Sequence, residues 1–228
     1  MAATSGVATA LGTKTSNDNI FRQAQAATNS WMSYQESMVS NCAPSAGFYK
    51  TGHNPAYWYN DLRTPVNTCA TNDLPLSPGL DNAIANDSLP TYSWITPNLC
   101  NDMHWLTGCP DANTQRIAAG DQWISSLLPR LTAMPSYLAG NTLIVITWDE
   151  GSETSTKGID CTDPAAYVSH PACQVPTIVV SPYIVPGAID SSDQNLYSLL
   201  GTTEDILSYP RLGRAVTNAQ SLRPGLGF

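Results

Sequence analysis

Positive charge is scarce in this chain: ten Lys and Arg stand against eighteen Asp and Glu, a formal net charge of −8 over 228 residues. A surface of that sign, with a sequence pI of about 4.6, repels phosphate backbones. No basic run interrupts it, so nucleic-acid binding through a basic patch is excluded. Long apolar runs are missing as well. The longest, Val175 to Val185, is broken by Pro176 and Pro182, which rules out stable membrane insertion of a helix there. There are only three histidines and no CxxC pair, so the usual zinc clusters are excluded. GxSxG, HExxH, GxGxxG and the phosphate-loop signature are absent too. What remains is 42% hydrophobic and 12% charged, a length for one large domain with a full core and short for two.

Cysteine is present in an even number: Cys42, Cys69, Cys100, Cys109, Cys161 and Cys173. With the acidity and the wealth of Ser, Thr, Asn and Tyr, this points to an oxidised, secreted protein, extracellular or periplasmic; buried free thiols are the alternative. Six cysteines allow fifteen pairings. The sequence-neighbour pairs Cys42–Cys69, Cys100–Cys109 and Cys161–Cys173 are expected, each stapling one loop-rich insert. Met1-Ala2-Ala3-Thr4 has neither a basic nor an apolar leader region, so the native start is expected upstream, with the leader absent from this chain.

The pattern alternates helix and strand. Residues 1–18 read as loop. Residues 19–28 read as a short helix capped by Asp18, 31–36 as a strand, and 40–79 as an irregular insert. A helix is expected over 78–86 and a strand over 91–96, ended by Pro97. The strongest helical periodicity covers 118–133, with Pro129 as a candidate kink. Strands follow at 143–148 and 176–180, then a helix at 195–208 and a surface coil after Pro210. Two near-continuous apolar strands imply a sheet covered on both faces, hence an α/β architecture with an at least partly parallel sheet. In such sheets chemistry sits just beyond the carboxyl ends of strands.

Three clusters lie there. The strand Leu143 to Trp148 stops at Asp149-Glu150-Gly151. Two adjacent carboxylates repel unless one takes a proton or a hard cation joins them; a solvated acidic turn is the plain alternative. Residues 98–104, NLCNDMH, pack Asn98, Asn101, Asp102 and His104 together, as metal ligands, as phosphate contacts or as a self-satisfied disulfide loop. His53-Asn54-Pro55 is the weakest, because it is also a good turn sequence. His170 reads as surface.

The segments SWMSYQESMVSNC, GHNPAYWY, SWITPNLCNDMH, NTLIVITWDEG, VPTIVVSPY and YSLLGTTEDIL occur in that order over residues 4–213. Together they resemble the bacterial phosphoesterase family of acid phosphatases and phospholipases C, its secreted acid-phosphatase branch above all. The resemblance implies an alkaline-phosphatase-like three-layer α/β/α sandwich and metal-assisted hydrolysis of small phosphate esters, phosphomonoesters preferred. It implies a divalent metal (Ca, Mg or Mn) on Asp149 and Glu150, His104 and Asp102 as catalytic residues, and His53, Asn54, Asn98 and Asn101 near the substrate. Two departures stand out. Residues 2–6, AATSG, resemble the stretch directly after the family's nucleophile, so residues 1–228 are expected to be a single domain forming the C-terminal portion of a longer protein. Leu196 stands where the family usually has His. The competing expectations are a secreted, non-catalytic domain of the same fold, and a phosphodiesterase or phospholipase C.

Overall fold

The computed structural model describes residues 2–5, 7, 13–65, 67–151, 169–217 and 220–227. Its centre is the strand β1 (Trp31–Gln35), flanked by β2 (Asp73–Pro75) and β3 (Tyr92–Thr96). All pair in parallel, in the order β2-β1-β3. Ser33 is in register with Asp73 on one side and with Trp94 on the other.

Alternation along β1 sends side chains to opposite faces, and each face meets its own apolar cluster. Trp31 joins Phe21, Tyr59 and Leu200, from helix α2 (Ile20–Ala26), the 51–59 segment and helix α7 (Leu196–Leu207). Tyr34 joins Leu80, Leu127 and Leu131, from helices α4 (Leu76–Ala85) and α5 (Asn113–Thr132). Being covered on both faces makes this part of the fold α/β, as expected.

The two most apolar strands behave differently. β4 (Ile144–Thr147) and β5 (Thr177–Val180) pair with each other in antiparallel fashion, in a separate two-stranded sheet. Ile178 is 52% exposed. Continuous hydrophobicity alone did not reveal that these strands keep open faces among the described residues. The expected cover on both faces of this pair is thus corrected.

Several expected boundaries shift for local reasons. Asn19, not Asp18, caps α2: its side chain accepts from the Arg22 N–H, while Asp18 pairs with the Arg22 guanidinium. Helix α5 begins five residues before its apolar stripe and passes through Pro129, with Leu127 and Leu131 buried on either side. Residues 2–5 form the short helix α1 against α7 rather than loop, where the buried Thr4 hydroxyl meets that of Tyr59 at 2.7 Å. The tail after Pro210 is anchored, since Ala215 and Leu222 are buried. Cys42–Cys69 and Cys100–Cys109 are disulfides. Cys161 lies outside the described residues.

The carboxyl of Glu204, on α7, is fully buried. Its Oε1 accepts from the Leu212 N–H at 3.0 Å. Its Oε2 and the Oε1 of the neighbouring Gln23 are buried without a partner, two acceptors that a protonated carboxyl reconciles. Burial pushes Glu204 up to about 7, against the opposing pull of the Leu212 N–H, Gln23 and Arg211. A raised carboxyl favours folding while it holds its proton. The contribution of Glu204 to stability is therefore fully present below the unfolded value near 4.5 and is lost as pH rises through about 7. Asp73, raised to about 6 mainly by burial, acts in the same sense. Glu204→Gln keeps the acceptor and supplies an N–H for Gln23. We expect it to remove on the order of 2 kcal/mol from the stability difference between pH 4.5 and pH 7, measured by urea unfolding at both. An unchanged difference would rule out Glu204 as the source.

Candidate active site

β1 runs out into Glu36, whose N–H donates to the Thr96 carbonyl at the end of β3. This acid was not singled out in the sequence, although it too follows a buried strand directly. Its carboxylate accepts from the Asn98 backbone N–H at 2.8 Å and from Asn101 Nδ2 at 2.9 Å. Asn98 in turn folds the loop on itself: its Oδ1 accepts from the N–H groups of Cys100 and Asn101, and its Nδ2 donates to Ser37. Both asparagines thus spend hydrogen bonds on the shape of the loop. Underneath, Gly120 of α5 admits it, because a Cβ there would come within 2.3 Å of Met103 Cε. Met103 takes a left-handed φ of 75°, and the Cys100–Cys109 disulfide closes the loop.

This loop delivers Asp102 between two histidines. Asp102 Oδ2 lies 2.8 Å from His53 Nδ1, and Oδ1 lies 3.0 Å from both the backbone N–H and Nδ1 of His104. The two rings stand 4.7 Å apart between centroids. Burial works to raise the Asp102 carboxyl, but the hydrogen bonds from His104 and His53 outweigh it and hold Asp102 down at about 2. An ionised carboxylate only accepts, so both Nδ1 atoms carry hydrogen, and the two Nε2 atoms are not used by this carboxylate. His104 is raised, first by its hydrogen bond to Asp102, then by the negative charges of Asp102, Asp149 and Glu150. That last influence puts Asp149 and Glu150, exposed beyond the end of β4, within electrostatic reach of His104.

His53 reaches this point because its neighbour is anchored. Asn54 is fully buried, and its Nδ2 donates to both oxygens of Asp73, at 2.9 and 2.8 Å. It therefore sits beneath the site rather than in it.

Gly151 answers to a close approach rather than to a special φ. Its N–H donates to Ala172, and a Cβ there would stand 2.0 Å from the Pro171 carbonyl oxygen and 2.6 Å from that of Gln174. Only glycine lets the 171–174 backbone cross the acidic turn.

Metal-ligand spacing among the described residues occurs in two groups. Cys42, Cys69 and Asp73 form one, but their sulfurs are joined to each other. His53, Asp102 and His104 form the other, with donor atoms within 4.8 Å, already satisfied as a hydrogen-bonded unit. Asp149 and Glu150 offer exposed oxygen donors of the kind a hard divalent cation takes.

The family model described as the Phosphoesterase family matches residues 3–209. The chain belongs to this family. The phosphatidylinositol-3-phosphatase of Mycobacterium tuberculosis is 30% identical over 204 residues, covering 88% of this chain and 56% of the relative. An acid phosphatase of Aspergillus fumigatus is 29% identical over 129 residues, 53% of this chain and 26% of the relative. A probable acid phosphatase of Kluyveromyces lactis is 26% identical over 202 residues, 81% of this chain and 40% of the relative. The chain therefore spans about half the length, or less, of the curated relatives it matches.

Because the clash at Gly151 is with backbone, Gly151→Ala is expected to cost about 1–3 kcal/mol and to displace the turn that bears Asp149 and Glu150. Denaturant unfolding measures the first. Wild-type stability would mean that the 171–174 segment gives way freely.

Proposed function

We propose that this phosphoesterase hydrolyses phosphate monoesters with the help of a divalent cation, at the carboxyl edge where β1, β3 and β4 end. The single observation that carries the reading is Asp102 shared by two histidines, 2.8 Å from His53 Nδ1 and 3.0 Å from His104 Nδ1. Two imidazoles whose Nδ1 atoms are held on one carboxylate keep their Nε2 atoms for a ligand. When protonated, each donates to a phosphate oxygen, and His104 stands to give its proton to the leaving oxygen. Asp102 acts as the positioning residue of the pair. Asp149 and Glu150 would hold the cation, which when bound supplies charge neutralisation for the transferred group. Ca, Mg and Mn all take such oxygen donors.

Asn98 and Asn101, with Glu36, set the height of the 98–104 loop, and Asn54 sets the position of His53. Their place near the substrate is thus one of support. The names of the relatives, a phosphatidylinositol-3-phosphatase and acid phosphatases, agree with a monoester substrate. The disulfides Cys42–Cys69 and Cys100–Cys109 and the fungal acid phosphatase relative support export. Helices on both faces of β1 support a three-layer sandwich for the complete domain.

The protein produced from its complete gene should hydrolyse p-nitrophenyl phosphate with one of Ca²⁺, Mg²⁺ or Mn²⁺, and lose that activity to a chelator. Asp149→Ala and His104→Ala should each lower kcat/KM by roughly 100-fold or more. If no phosphoester is hydrolysed with any of the three metals, the reading fails. If His104→Ala retains full activity, the histidine pair has no part in the chemistry.

A further inference from the structure

Beside the histidine pair opens a cleft of about 490 Å³, lined by Ser45, Lys50, Thr51, Trp58, Leu99 and Trp105 together with His53 and His104 themselves. We propose that this cleft is the leaving-group subsite, and that it selects phosphate monoesters whose alcohol carries a planar aromatic ring, with Trp105 against the ring face and Lys50 at its far anionic edge. The proposal rests on the phosphatase reading given above.

Trp105 is 63% exposed, a large apolar surface left in water immediately after His104 in the chain. An exposed indole that served no ligand would be free to swing. This one is tied down: its Nε1 donates to Asp111 Oδ1 at 2.7 Å, and the Cys100–Cys109 disulfide spans the loop. Trp58, which also lines the cleft, is fixed by its own hydrogen bond, Nε1 donating to the Thr51 carbonyl at 2.6 Å. Rigid indoles with an apolar floor at Leu99 bind flat rings at little ordering cost. Lys50 is exposed and is the one lysine or arginine among the residues that line the cleft, in a chain of net charge −8. It offers a partner for a carboxylate or phosphate on the far side of the ring.

The test is calorimetric binding, which requires no turnover, of inorganic phosphate, glycerol 2-phosphate, phenyl phosphate and 4-carboxyphenyl phosphate in buffer containing Mg²⁺. The wild type should bind phenyl phosphate more tightly than the two ring-free ligands. Trp105→Ala should weaken phenyl phosphate roughly fivefold, leave inorganic phosphate unchanged, and be largely rescued by Trp105→Phe. Lys50→Ala should weaken 4-carboxyphenyl phosphate but not phenyl phosphate. Equal losses for ring-bearing and ring-free ligands, or no loss in Trp105→Ala, would overturn the subsite while leaving the phosphate site intact. Failure of inorganic phosphate itself to bind, with the protein shown to be folded, would overturn both.

Discussion

A buried carboxylate holds the centre of this molecule in place. Asp73, at the start of β2, is wholly buried, and a charge so placed is costly unless it is met by donors. The Asn54 amide meets it, reaching both oxygens, while Asn54 Oδ1 accepts from Ser33 on β1 and the Tyr49 hydroxyl accepts a further bond from its Nδ2. The cost of burying Asp73 thus fixes the 51–58 segment to the sheet. His53 is the residue next to that anchor, so the position of a candidate catalytic imidazole follows from the electrostatics of the core.

A second carboxylate continues the same logic one layer outward. Glu36 leaves β1 as the strand ends and draws in the 98–101 loop, whose own amides complete its shape. Asp102 then bridges the loop to His53. Three acids in sequence, one buried, one at the strand end and one in the site, carry order from the sheet to the reacting edge. Each is satisfied by N–H donors, which offsets the cost of taking its charge out of water. The adjacent pair Asp149 and Glu150 lacks that internal satisfaction among the contacts described, and stands where a cation would supply it.

Much of this was legible in the sequence. The strands ending at Thr96 and Trp148 were expected to lead into the polar clusters, and the spacing of Asp102 and His104 already suggested one loop bearing both. Two of the expected cysteine pairs are the ones formed. Pattern reading misjudged the apolar strands β4 and β5. Their run of Ile, Val and Leu shows only that they favour burial; it does not say against what, and they pair with each other in antiparallel fashion. It also missed Glu36, Lys50 and Trp105, because single polar or aromatic residues carry no periodicity.

By itself, then, the sequence determined the chemical alphabet of the site, the acidic surface, the oxidised cysteines and the order of helices and strands, since these depend on local composition and on contacts within a few residues. Only the tertiary structure decided that Asn54 is buried against Asp73 while His53 meets Asp102, although they are neighbours. It also decided that Gly151 is needed for a crossing backbone rather than for a turn, and that Asp102 is shared between two rings. Those outcomes depend on groups separated by tens of residues meeting at about 3 Å, where a hydrogen bond or a clash is settled by tenths of an ångström, and no local pattern in the chain encodes a distance of that kind.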